Sequence, residues 1–485
     1  MVSRMLSVVG GLAGALFLSV GAQAAEDIVV PPGGPGSVAL IIHGGAATTV
    51  HESRSATLPA GESVLAFPDV PMAADAASVR LGVAGDGPGL MVLDRALAAD
   101  VPSRRRLLEL SVGEDVGVLI HDQGEGEPPR RVTATVLSVA EDVILEIDGA
   151  IRVGLPGDLV LDALPPGLRA TPTLLATVEV GKAGERDLTL SYLTGGLTWA
   201  ADYGLDLGAT GEVGELTGWA TISNTSGRTF RDARLTLAAG QVAVAQNDDF
   251  IVMPEATIMM ERALGAAASV AMPAPPVAEA QGGVQFYPIA RPVTLAHRQT
   301  LQVALANRPD ITVTPRYVVP AGHHAHFASP RVEDDTVNAA RHLILANTEE
   351  AGLGLPLPAG VVRVWQPGPG GLPRFLGADR IDHLAVGGEA DLALGTDFDV
   401  TAERRRTDFR RISERVTESE HEITLRNAKS DRPVSVEVDA VLPGDWTLLS
   451  ESTPHRKETA ERVVWTVEVP ADGEATLRYA VRTRL

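Results

Sequence analysis

The chain has 485 residues, with 41 Lys and Arg against 62 Asp and Glu and a formal net charge of −21. That acidity argues against nucleic acid and anionic lipid as partners, since both need a basic face. The lack of cysteine excludes disulfides, thiolate metal sites and cysteine nucleophiles, and 49 Gly with 33 Pro suit a chain of turns rather than long helices.

The first residues carry an address. Arg4 precedes an apolar run from Met5 to Val20, and Ala22-Gln23-Ala24 follows as a small-residue cleavage signature. This reads as a signal peptide covering residues 1–24. The run is short for a hydrocarbon span of about 30 Å, and no later segment is long and apolar enough to cross. The expectation is a periplasmic or secreted protein with no transmembrane anchor after cleavage.

Beyond it the hydrophobic period is two, the mark of strands with one dry and one wet face. Residues 25–100 read as an N-terminal β-region. In 101–165, Ser103 caps a short helix carrying Leu107, Leu108 and Leu110, and the strands Val116–Ile120, Arg131–Val139, Val143–Ile147 and Ile151–Leu155 make a small barrel-like insert. Residues 166–255 form a sandwich. There Leu197, Trp199, Ala201, Tyr203, Leu205 and Leu207 alternate with smaller or polar neighbours. An Ala- and Pro-rich linker is expected over 256–283, because it has too little apolar surface to offset its ordering entropy. A second sandwich region covers 284–395, and an Ig-like sandwich covers 396–485. The fold class is therefore all-β: several sandwich domains, a small inserted β-module and few short helices.

Reaction centres are incomplete wherever they are sought. His323, His324 and His326 are the metal candidates, as neutral imidazoles bind zinc, copper or nickel. Spacing does not show convergence, and an exposed polar turn is the competing reading. His43-Gly44-Gly45 has no Gly-x-Ser-x-Gly partner and reads as a strand ending in a turn. Gly85-Asp86-Gly87-Pro88-Gly89 has no Lys-Ser/Thr, and Pro88 has no N–H, so it too is a turn. Asp379, Asp382 and His383 could supply acid and base, with surface ion pairs as the alternative. Arg404, Arg406, Arg410 and Arg411 are candidates for acidic glycan or phosphate groups, or form a neutralised strand edge. That edge is also open to pairing with another chain. Trp219 falls on the polar face of its strand and is a candidate sugar-stacking ring, whereas Trp199 and Tyr203 fall on the buried face. No cofactor is expected.

The run Leu190-Ser191-Tyr192-Leu193-Thr194-Gly195-Gly196-Leu197-Thr198-Trp199-Ala200-Ala201-Asp202-Tyr203 resembles the signature of the domain-of-unknown-function 4139 family. Leu216 to Asn224, Asp397 to Arg404, Leu425 to Lys429 and Leu442 to Trp446 are similar to its later segments. The resemblance implies a secreted β-rich protein without an assigned activity. Some relatives are labelled mucoidy-inhibitor proteins and carry a coiled coil, whereas this chain has no sustained heptads. The functional expectation is a non-enzymatic envelope protein that binds protein or polysaccharide. A metal- or carboxylate-dependent envelope hydrolase is the alternative.

Overall fold

The computed structural model describes residues 27–45, 47–85, 89–120, 129–165, 167–240, 276–321 and 335–484. The expected signal peptide, most of the expected linker and the cluster His323, His324 and His326 lie outside these residues. The fold is all-β, and among the described residues the one α-helix is α1 (Arg104–Leu110). No described helix is long and apolar enough to cross a membrane. The chain divides into two compact units. The first draws on Met1–Pro32, Ser53–Val70 and Arg80–Leu190, and the second on Gly33–Glu52, Pro71–Val79 and Ser191–Leu485.

The first unit holds two sheets. One orders the strands Ile28–Val29, Gly61–Pro68, Thr173–Val180 and Leu90–Ala98. Arg54 is buried beside it, and its guanidinium is satisfied by the Val30 and Pro68 carbonyls at 3.1 and 2.9 Å. The other is the small module, five antiparallel strands in the order 150–153, 144–147, 130–138, 115–120 and 158–160. Its tightest turn is Asp148-Gly149, both residues at positive φ (52° and 76°), the combination a two-residue hairpin demands. Ser103 caps α1 by accepting from the Arg106 N–H, so Leu108 joins Val118, Val136 and Leu145 in the module's core.

The second unit contains the sandwich. Five of its strands are β1 (Leu197–Leu207), β2 (Val213–Asn224), β3 (Gln299–Thr312), β4 (Gly360–Pro367) and β5 (Pro373–Ile381). They form one sheet in the order β3-β2-β1-β4-β5. Only β1 and β4 run parallel, with Asp202 opposite Val361 and Asp206 opposite Trp365. One face is dry. Trp199, Tyr203, Leu205, Ile222, Val303, Val362 and Val364 are buried there. Trp199 Nε1 donates to the Ala238 carbonyl at 3.3 Å, and Tyr203 Oη donates to the Pro358 carbonyl at 2.8 Å. These bonds satisfy the polar ends of two large core rings. A Cβ at Gly360 would collide with the Ala201 carbonyl oxygen, so glycine lets β4 close onto β1.

The remaining large sheet has nine strands and begins before residue 396. It includes Thr314–Pro320 and Asp335–Ala346, and Glu389–Arg411 runs through Gly395 as one strand. Tyr317, Val319 and Ala339 share a core with Val436, Leu477 and Trp465. The glycine expected to mark a boundary is thus a mid-strand residue at φ 98°. Trp465 stacks on Tyr479, with ring centroids 4.5 Å apart, although their strands stand far apart in the sheet order. The sheet therefore curls around its own core. At the C-terminal end of the expected linker, Glu279–Gln281 is a strand and pairs with Val284–Pro288.

Candidate functional site

The wet face of the sheet β3-β2-β1-β4-β5 follows from the alternation that buries the other. On β2, Leu216, Gly218, Ala220 and Ile222 point inward, leaving Thr217, Trp219 and Thr221 outward. On β4, Val362 and Val364 are inward, leaving Arg363 and Trp365 outward. On β1 the outward residues are Asp202, Gly204 and Asp206. A bulge between Val364 and Trp365 brings Phe375 of β5 opposite Trp365. Their ring centroids are 5.0 Å apart at an interplanar angle of 57°, and Phe375 remains 54 % exposed.

A hydrogen-bonded belt crosses this face. Gln302 Nε2 donates to Thr221 Oγ1 at 3.1 Å, and Thr221 donates to Asp202 Oδ2 at 3.0 Å. Arg363 Nη1 donates to Asp202 Oδ1 at 2.9 Å. Four strands thereby orient an amide, a hydroxyl, a carboxylate and a guanidinium side by side. Trp219 lies level with Asp202 and Trp365 level with Asp206. By strand geometry the two rings stand roughly 10 Å apart across the sheet and about 14 Å along it. Gly204 lies between them and has no side chain. Asp206 and Glu215 oppose each other on β1 and β2, and partial burial raises the Asp206 carboxyl above its ordinary value.

Partly exposed rings beside oriented polar groups suit a ligand with both apolar and hydroxylated faces, which is the surface of a sugar. Chemistry beyond binding finds no support from the carboxylate candidates. Asp379 accepts the backbone N–H groups of Arg380 and Ala393, both at 2.8 Å. His383 Nδ1 accepts the Ala359 N–H at 3.1 Å. Asp382 lies just past the end of β5. Among the described residues, no group of three or more His, Asp or Glu is arranged to hold a metal ion. The His43-Gly44-Gly45 segment ends the strand Val38–His43 in a turn with Gly45 at φ 76°. Burial lowers the His43 pKa.

The arginine run lies elsewhere, on the nine-stranded sheet. The strand Glu389–Arg411 pairs with Asp335–Ala346 as far as Arg404 and with Val416–Asn427 from Val400 to Arg411, so among the described residues Arg405 to Arg411 pair on one side alone. Arg404 is ion-paired with Asp335 and donates to the Pro320 carbonyl at 2.8 Å. Arg406 covers the Phe409 ring at 4.9 Å, Arg410 lies 3.3 Å from Glu418, and Arg411 stands opposite Thr417. Arg404 and Arg410 thus have carboxylate partners within the fold.

Trp219 was legible as an outward ring because its strand alternates cleanly. Arg363, Trp365 and Phe375 were missed. The alternation Val362-Arg363-Val364-Trp365 held the signal, two aliphatic residues in and two large polar or amphipathic residues out. No curated protein matches the chain. Residues 188–485 match the family described as Domain of unknown function (DUF4139), a stretch that contains all five strands of the site. The chain belongs to that family.

Proposed function

We propose that this is an exported envelope protein that binds polysaccharide on the wet face of the sheet β3-β2-β1-β4-β5. The observation that carries the reading is the placing of Trp219 and Trp365 on one open face, both on the Asp206 side of the belt joining Gln302, Thr221, Asp202 and Arg363. Tryptophan offers a flat apolar surface that stacks on a pyranose ring, and the belt offers fixed donors and acceptors to its hydroxyls.

Affinity electrophoresis through gels containing polysaccharide tests this. The intact protein is expected to be retarded. Trp219→Ala and Trp365→Ala should each weaken binding about tenfold, equivalent to about 1.4 kcal/mol. Unretarded migration in neutral and acidic polysaccharides alike would remove the proposal.

Export is supported by Arg4, the apolar run and Ala22-Gln23-Ala24. The protein recovered from its native cells should have an intact mass that begins at Ala25. A mass that retains residues 1–24 would contradict the export assignment.

A further inference from the structure

A cavity of about 330 Å³ lies where the turn between β1 and β2 meets the nine-stranded sheet. Glu212 lines it from the turn, Thr312 from the end of β3, Thr314 and Tyr317 from the strand Thr314–Pro320, and Arg432 and Ser435 from the start of the strand Val434–Val441. The turn is tied to both neighbours. The Val313 N–H donates to the Glu212 carbonyl at 2.9 Å, and Arg432 Nη1 donates to the Thr210 carbonyl at 2.9 Å. Glu212 and Arg432 are the charged residues of the lining, and they do not pair with each other. Among the described residues the Glu212 carboxylate has no partner and Arg432 has only the Thr210 carbonyl. The charges nearby are engaged elsewhere, Lys429 with Asp397 and Asp399 and Arg316 with Asp391 and Glu437. Tyr317 is only 6 % exposed and packs in the core of the sheet, yet its hydroxyl makes no hydrogen bond among the described residues. A buried hydroxyl without a partner is unfavourable, and a ligand in the cavity can supply one.

We propose that this cavity binds a small zwitterion, an amino acid or a short peptide: Arg432 takes its carboxylate, Glu212 its ammonium group, and Tyr317 a further hydrogen bond. The two lining charges cancel, so the complementary ligand carries one charge of each sign. A simple anion would face Glu212 and a simple cation would face Arg432, and each would meet a like charge. The guanidinium fork matches a planar carboxylate with two parallel hydrogen bonds. Val313, Pro433 and Val434 add an apolar wall for an aliphatic side chain. The volume falls at the small end of ligand pockets, roughly 300–1,000 Å³, which suits a short molecule rather than a polymer. The cavity shares no residue with the sugar-binding face, so either assignment can fail alone.

Calorimetric titration of the full chain with leucine and with alanyl-leucine tests the proposal, and the pair distinguishes a free amino acid from a peptide as the source. At least one of them should bind, and N-acetylation or C-terminal amidation should each weaken it about tenfold or more, the loss expected when a charged hydrogen bond is removed. Glu212→Gln should erase the penalty of acetylation, and Arg432→Gln the penalty of amidation. Tyr317→Phe keeps the core ring and removes a hydroxyl that has no protein partner. It should weaken binding severalfold with an unchanged melting temperature. No binding of either compound at millimolar concentration would overturn the proposal. So would capped forms that bind as tightly as the parent, or affinities unchanged in all three variants.

Discussion

Replacing Arg228 with Met should cost about 3–5 kcal/mol of stability, the usual penalty for leaving one member of a buried ion pair alone. Arg228 and Glu52 have side chains only 4 % and 1 % exposed, and they meet in an ion pair between residues 176 positions apart. Tyr192 Oη donates to Glu52 Oε1 at 2.7 Å and accepts from Arg228 Nη1 at 3.0 Å. The Arg228 guanidinium also covers the Phe230 ring at 4.9 Å. The group ties three separate segments of the second unit into one polar knot. Without Arg228 the Glu52 carboxylate keeps its burial and loses its cation, and burial alone favours the neutral acid. The loss should therefore shrink as pH falls and the carboxyl takes a proton. The double variant Glu52→Leu/Arg228→Met should recover much of the deficit, because it removes both charges. Urea unfolding followed by Trp199 emission checks this. A single-variant loss below 1 kcal/mol would show the pair to be dispensable.

The second large effect is expected at Asn427. It ends the strand Val416–Asn427 and is fully buried. Its Nδ2 donates to the Arg432 and Pro470 carbonyls at 3.0 and 3.1 Å, and its Oδ1 accepts the Lys429 N–H at 3.0 Å. Asn224 repeats the device at the end of β2. It donates to the Arg228 and Leu295 carbonyls at 2.8 and 3.0 Å and accepts the Ser226 N–H at 3.1 Å. In both cases one amide closes the loop that follows and pins it to a distant carbonyl. Asn427→Ala leaves buried backbone groups without partners, each an expense of about 1–3 kcal/mol. A total loss on the order of 3 kcal/mol is expected in the transition reported by Trp446 and Trp465. A loss under 1 kcal/mol would mean that water replaces the amide.

These features show what the chain displays in one dimension and what it hides. Strand identity was legible because Leu197, Trp199, Ala201, Tyr203, Leu205 and Leu207 repeat every second position, and all six are buried. The module's Asp148-Gly149 turn and the Ser103 cap are local chemistry, so nearby residues announce them. The site needed more. Arg363 meets Asp202 across 161 positions through a parallel pairing that no local pattern specifies. The same holds for Glu52 and Arg228. The arginine run drew attention by its density, yet its partners Asp335 and Glu418 come from neighbouring strands whose register only the folded sheet reveals.

The central claim is that the wet face of the sheet β3-β2-β1-β4-β5 takes up sugars through Trp219 and Trp365. Fluorescence titration with oligosaccharide tests it most directly, using the intact protein beside the double variant Trp219→Phe/Trp365→Phe. The intact protein should shift its emission to the blue as the two rings leave water, and the double variant, still holding Trp199, Trp446 and Trp465, should show no shift. The same saturating shift in both proteins would place the sugar elsewhere and contradict the account.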